Sequence, residues 1–284
     1  MTAELERGDA YCRRLLKGHY ENFWVASPLV PRRLRPDFAR FYAYCRTVDD
    51  LGDESPSAEV AEERLGAWRE DVRRIFAGGL PVHPVLVALT ETVRAHQLPA
   101  EPFLDLISAN LQDQRVGTYA TWDELHAYCR RSAAPVGRVV LRLFGIRDGR
   151  LDALSDDVCI GLQLANFAQD VRVDAGKGRT YLLQPELAEL GQSGAVRAMC
   201  ERASGLLRSG HELEAAVASR RLRGQLALYR TGGEAILRAI ARAGYHTGEV
   251  RPSVPVTAKV GLLLQAMANR SRARDEDVRD YRTV

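Results

Sequence analysis

Apolar residues recur at helical spacing along nearly the whole chain. Leu65, Trp68, Val72, Ile75 and Phe76 fall on one face of VAEERLGAWREDVRRIF, with acids and arginines between them. Phe103, Leu104, Ile107 and Leu111 repeat the pattern, as do Leu213, Ala216 and Val217, then Leu226, Tyr229, Ile236, Leu237 and Ile240. Strand-like alternation is scarce, and the Asp148-Gly149 pair sits between two helical patterns. Pro and Gly supply the punctuation: Pro28, Pro31 and Pro36; Gly52, Ser55 and Pro56; Gly78, Gly79, Pro81 and Pro84; Pro99 and Pro102. Pro252 and Pro255 precede one more helix. Connections are short, and no internal repeat or break in composition divides the chain. The pattern predicts an all-α fold, a helical bundle of one domain over residues 1–284. From about residue 269 the tail NRSRARDEDVRDYRTV is densely charged and reads as a solvated helix end.

The hydrophobic fraction of 46% and charged fraction of 27% exclude a disordered or fibrous chain. A net charge of +3 gives no bulk attraction to nucleic acid, so no nucleic-acid partner is expected. No run approaches the roughly 18 apolar residues of a membrane span. MTAELERGDAYCRR lacks an apolar stretch of signal-peptide type. A cytoplasmic protein is expected, with room for a peripheral position on the inner face of the cell membrane. Cys12, Cys45, Cys129, Cys159 and Cys200 are odd in number and form no CxxC, which points to buried free thiols.

Common catalytic signatures are absent: no HExxH, GxSxG, Walker A loop or GxGxxG occurs. Two acidic clusters remain. The first is Asp49-Asp50-Leu51-Gly52-Asp53, where Asp49 and Asp53 share a helix face and Arg46 lies one turn earlier. Like charges at this spacing weaken a helix by about a few tenths of a kcal/mol. A cation between them removes that penalty, and Mg²⁺ takes such oxygen ligands together with substrate phosphate oxygens. The second cluster is Asn166, Asp170 and Asp174, one oxygen-bearing side chain per turn among the apolar Leu162, Leu164, Phe167 and Val171. A polar stripe in such a setting needs partners. Lys177, Arg179 and Tyr181 follow, able to contact a phosphate. Taken singly, a DxxxD pair is ordinarily a solvated helix face. Two such clusters facing each other across a cavity would cage two or three Mg²⁺ ions around a diphosphate, whose departure leaves a carbocation. The faces of Phe23, Tyr42 and Tyr128 could stabilise that cation, or could simply be core packing.

These residues resemble the squalene/phytoene synthase family, all-helical isoprenoid synthases that join or process prenyl diphosphates head to head. The resemblance runs from about Tyr11 to Ala268. Its first motif is YCRTVDDLGD (residues 44–53); its second is QLANFAQDVRVD (163–174), followed by GRTYL (178–182). The resemblance implies a central apolar cavity and assigns Asp49, Asp53, Asn166, Asp170 and Asp174 as metal ligands. It implies Arg46, Lys177 and Arg179 near diphosphate, and Tyr42, Tyr128, Gln163 and Tyr245 along the reaction cavity. HYENFWVAS (residues 19–27) resembles the signature of bacterial hydroxysqualene synthases, which act in the route to squalene and hopanoids. YCRRSAAPVGR (residues 128–138) is similar to that branch too. Glu21 stands where a condensing member is expected to carry a basic or small phosphate-contacting residue.

The implied reaction is Mg²⁺-dependent loss of diphosphate from presqualene diphosphate, with water capture of the cation to give hydroxysqualene. His19, Asn22 and Tyr128 are the candidates to hold that water, and Phe23 lies beside them as a substrate contact. No nicotinamide site is seen, so no NADPH is expected. One alternative is condensation of two prenyl diphosphates to presqualene diphosphate, squalene or phytoene. Another is a catalytically silent scaffold or assembly factor. The lipid substrate implies loading from a membrane surface or from a neighbouring pathway enzyme.

Overall fold

The computed structural model describes residues 3–18, 28–255, 257–264 and 266. The charged tail from about residue 269 lies outside them. Among the described residues there is no strand, only an isolated parallel bridge between Tyr119 and Leu183. The helices in chain order are α1 (Ala3–Gly18), α2 (Arg35–Asp53), α3 (Ala58–Phe76), α4 (Pro84–His96), α5 (Glu101–Asp113), α6 (Trp122–Ser132), α7 (Ala134–Leu143), α8 (Gly149–Gln169), α9 (Val171–Gly176), α10 (Gln184–Leu207), α11 (Ser209–Ala216) and α12 (Arg220–Arg242). Residues 257–264 are also helical, as the Pro252 and Pro255 punctuation predicts. No helix among the described residues is long and apolar enough to cross a membrane.

The chain forms two compact units. One holds α1–α7; the other holds α8–α12 with residues 28–30 and 118–121. In the first unit α2 packs against α1, α3, α4 and α5. Its apolar stripe, with Phe41, Tyr44 and Val48 buried, meets Leu65 and Trp68 of α3 and Phe103 of α5. The Tyr44 ring stands edge-on to Phe103 at 5.2 Å, and its hydroxyl donates to the Phe103 carbonyl at 2.8 Å. Burial therefore leaves no unsatisfied phenol. Arg40 centres one buried polar network in this unit. Arg40 donates to Asp9 of α1 at 2.7 and 3.0 Å and to Thr92 of α4 at 3.3 Å, and Thr92 donates to Asp37 at 2.8 Å.

In the second unit α8 packs against α10, α11 and α12. Small residues permit the approach: a Cβ on Gly161 would lie 3.1 Å from the Ala203 carbonyl, and one on Gly233 2.7 Å from Leu162. Gly191, at φ +69°, interrupts α10. Arg230 of α12 bridges Glu214 of α11 at 2.6 Å and Glu234 at 2.7 Å. Beneath the end of α8, Phe167 stacks on Tyr181 at 3.7 Å between centroids, and Tyr181 stacks on Tyr119 at 5.9 Å.

Two expectations are corrected. Cys12, Cys129 and Cys200 are buried thiols, but Cys45 and Cys159 are only half-buried. Ala216 is exposed, so the α11 stripe rests on Leu213 and, just beyond the helix, Val217.

The Arg40 network generates a stability prediction. Arg40→Ala leaves Asp9 buried without its cation, whereas Asp37 keeps Thr92 and His96, and breaking such a buried pair from one side costs about 3–5 kcal/mol. Urea denaturation followed by circular dichroism checks this.

Candidate active site

Both acidic clusters lie at the C-terminal end of the central helix of their own unit. In the first unit, Asp49, Asp50 and Asp53 close α2, and its last turn carries no basic residue. The negative end of the helix dipole therefore points at these carboxylates. Arg46 forms an ion pair with Asp50 at 2.5 Å and a second with Glu54 at 3.2 Å. Asp49 is reachable by solvent but recessed. Loss of hydration pushes its carboxyl up to about 7; a hydrogen bond from Asn110 opposes this, and repulsion from Asp53 adds to it. Asn110 Nδ2 donates to Asp49 at 3.4 Å.

In the second unit, α8 ends at Gln169 and Asp170 caps the short α9. The single continuous helix expected from Asn166 to Asp174 is thus broken at Asp170, where φ is −103° and ψ is 19°. The backbone N–H of Asp170 still reaches the Asn166 carbonyl at 2.8 Å, and that of Asp174 reaches the Asp170 carbonyl at 2.9 Å. The one-per-turn spacing survives because both bonds keep the i to i−4 pattern. Asn166 is exposed and Asp174 half-buried. The Asp170 carboxylate accepts from Arg251 Nε and Nη2, the latter at 3.0 Å. Lys177 and Arg179 follow in a turn whose two N–H groups donate to the Asp174 carbonyl at 2.9 Å each.

Tyr128 is buried on α6, and its hydroxyl donates to Asp113 of α5 at 2.7 Å. Tyr42 on α2 and Gln163 on α8 are half-buried. Tyr245 follows α12 with φ +63°, and its N–H donates to the Ile240 carbonyl at 3.1 Å. His19, Asn22 and Phe23 lie outside the described residues. Two cavities open within the first unit. One of about 270 Å³ is lined by Tyr11, Leu15, Thr47, Asp50, Leu51, Glu54 and Arg64. The other, of about 370 Å³, lies between α3 and α5, beside Gln112 and Arg115. Neither is lined by the aromatic residues expected along the reaction cavity.

The chemistry of the α2 carboxylates suits a hard dication. All are oxygen donors, and Asp49 and Asp53 share a helix face and repel one another. Among the described residues no three His, Cys, Asp or Glu side chains converge on one point, so no closed cage stands ready. Sequence reasoning missed Arg251, Asn110 and Asp113. Asn110 and Asp113 recur at helical spacing on α5, a signal that could have been read. Arg251 lies 81 residues from Asp170, and no local pattern links the two.

The crystal structure of squalene synthase HpnC from Alicyclobacillus acidocaldarius is similar to this chain. It superposes with a TM-score of 0.79 and 45% identity, covering 86% of this chain and 97% of that one. A phytoene synthase of Arthrospira platensis is 32% identical over 203 residues, 66% of this chain and 65% of that protein. A presqualene diphosphate synthase of Rhodopseudomonas palustris is 34% identical over 172 residues, 60% of this chain and 61% of that protein. The chain thus spans about two thirds or less of the length of these curated relatives. A squalene/phytoene synthase family model matches residues 16–258, across both acidic stretches, and the chain belongs to that family.

Proposed function

We propose that this protein is a Mg²⁺-dependent isoprenoid synthase that removes diphosphate from presqualene diphosphate and lets water capture the cation, giving hydroxysqualene. The observation that carries the ionisation step is the end of α2, where Asp49 and Asp53 stand one turn apart at the negative end of the helix and Asn110 Nδ2 donates to Asp49 at 3.4 Å. Bound Mg²⁺ supplies Lewis acidity that neutralises the leaving diphosphate. Asp49 and Asp53, with Asn166, Asp170 and Asp174, would hold two or three such ions. Arg46, Lys177 and Arg179 bind the diphosphate oxygens. Tyr42, Tyr128, Gln163 and Tyr245 line the path of the cation, and Phe23 offers it a ring face. His19, Asn22 and Tyr128 hold the attacking water. The Tyr128 hydroxyl donates to Asp113, so toward a water it would act as an acceptor.

The choice of branch rests on HYENFWVAS and on the likeness to squalene synthase HpnC. Condensation of two prenyl diphosphates is the competing reading, favoured by the presqualene diphosphate synthase and phytoene synthase relatives. The substrate is a water-insoluble lipid, so loading proceeds from a membrane surface or a partner enzyme, in the cytoplasm.

Product analysis separates the two reactions. Protein and Mg²⁺, without reductant, are incubated with presqualene diphosphate and separately with farnesyl diphosphate. Mass spectrometry is expected to find hydroxysqualene from the first and nothing from the second. Presqualene diphosphate from the second would establish condensation instead.

The raised Asp49 pKa sets a pH dependence for the metal-free protein. The folded state keeps this proton up to about pH 7, whereas the unfolded chain loses it near the ordinary aspartate value of 3.8. Its contribution is therefore fully present below about pH 4 and is lost as pH rises through 7. Asp49→Asn is expected to melt higher than wild type at pH 8, with the gap closing toward pH 4. After discounting for screening at an accessible carboxylate, the gap is about 1 kcal/mol, or about 3 °C. Mg²⁺ at pH 8 is expected to raise the melting temperature of wild type more than that of Asp49→Asn.

Arg251 competes with a cation for Asp170. Arg251→Gln is expected to tighten Mg²⁺ binding about threefold, the scale of an exposed ion pair. Isothermal titration calorimetry reads it, and unchanged or weaker binding would refute the competition.

A further inference from the structure

Leu80 and Val82 are large apolar side chains, yet they are 82% and 90% exposed. Both stand on the turn of residues 78–83, between α3 and α4. This turn is held, not loose. Ala77, Gly78 and Gly79 donate backbone N–H groups to the carbonyls of Arg73, Ile75 and Arg74 at 3.0, 3.0 and 2.8 Å. This closes the end of α3, with Gly78 in the left-handed region at φ +85°. Pro81 stiffens the middle, and His83 caps α4 through Nδ1 at 3.3 Å from the Val85 N–H. His83 is in turn gripped by aromatic rings, edge-on to Trp68 at 4.8 Å and to Tyr11 at 5.9 Å. An apolar tip on a rigid base loses little conformational freedom when it is buried.

We propose that this turn is a docking surface for an anionic lipid bilayer, with Leu80 and Val82 entering the interfacial region. Charge at its base favours that occupant. Arg73 and Arg74 lie in the last turn of α3, each more than half exposed. The Arg74 side chain runs directly against Gly79. Arg14 of α1 lies 5.7 Å above the Tyr11 ring, beside His83. Glu70 and Asp71 pair with Arg73 and Arg74 at 2.6 and 2.9 Å, but these are exposed i,i+3 pairs that lipid phosphates can replace. Area argues against a second protein chain: two side chains fall far short of the roughly 1,600 Å² of a standard interface. Shallow bilayer insertion needs only a few side chains beside a basic patch. The inference does not depend on the reaction proposed above, because vesicle binding requires no turnover.

The test is co-sedimentation of the full chain with vesicles of phosphatidylcholine alone and with about 30% phosphatidylglycerol added as the anionic lipid. Wild type is expected to pellet with the anionic vesicles, to a lesser extent with neutral ones, and to be released by about 0.5 M salt as charges are screened. The double variant Leu80→Ser, Val82→Ser is expected to lose about tenfold in vesicle affinity while keeping its melting temperature, since neither side chain packs in the core. Arg73→Gln with Arg74→Gln is expected to remove the preference for anionic vesicles. Wild-type protein that stays in the supernatant overturns the proposal, and so does equal pelleting of the serine variant. Light scattering that shows a dimer dissolved by the serine substitutions, without vesicle binding, would assign the turn to a second copy instead.

Discussion

Negative charge gathered at the negative end of a packed helix is the constraint that recurs in each unit, at the end of α2 and at the end of α8. Each carboxylate there feels its neighbours and about half a unit of negative dipole charge from the helix that carries it. The helices persist because they are the packed centres of their units. Tyr44, Val48 and Gly52 are buried on α2, and Leu164, Ala165, Phe167 and Ala168 on α8. Burying one large apolar side chain is worth about 1.5–3 kcal/mol, well above the repulsion of an i,i+4 acidic pair, about a few tenths of a kcal/mol. Apolar packing thus holds in place an electrostatic arrangement that the acidic stretches would not choose alone.

Arginine answers carboxylate in two different settings. Arg40 and Arg230 are about 10% accessible at their side chains and link separate helices. Removing one partner there strands a buried charge, so these pairs hold structure. The Arg46–Asp50 and Arg251–Asp170 pairs are more open, with the Arg251 side chain 48% accessible. Exposed pairs are worth about 0–1 kcal/mol and exchange readily. In the proposed reaction that weakness is useful, because an arginine that yields its carboxylate to a cation becomes free to meet the diphosphate. The same two residue types therefore serve stability or ligand exchange according to burial alone.

The helical class was legible because apolar periodicity is a property of neighbours in sequence. Leu65, Trp68, Val72 and Ile75 are all buried on α3. Asp49 and Asp53 were legible for the same reason: four residues apart within one helix, they must share a face. The break at Asp170 was not legible, since Gln169 and Asp170 interrupt no pattern and neither is Gly or Pro. Its local cause lies far along the chain. Gln169 donates to the Pro252 carbonyl, and Arg251 holds Asp170, so the segment after α12 clasps the end of α8. Contacts between residues more than 80 positions apart leave no trace in local spacing. Tyr128 shows the intermediate case. Its burial follows from the α6 pattern, but its Asp113 partner is set by how α5 and α6 pack.

Gly52 gives the clearest case of a residue whose type was visible and whose reason was not. In sequence it reads as punctuation near a helix end. In the structure it lies inside α2, and what it supplies is proximity. A Cβ there would fall 2.8 Å from Asn110 Oδ1 on α5. With only hydrogen at that position, Gln114 Nε2 reaches the Gly52 carbonyl at 3.4 Å, and Asn110 Nδ2 reaches Asp49 at the same distance. A Cβ there would displace the Asn110 amide and withdraw it from the carboxylate it steadies. The orientation of Asp49 is thus set by an absent side chain three positions later, through a helix that carries no acidic motif of its own.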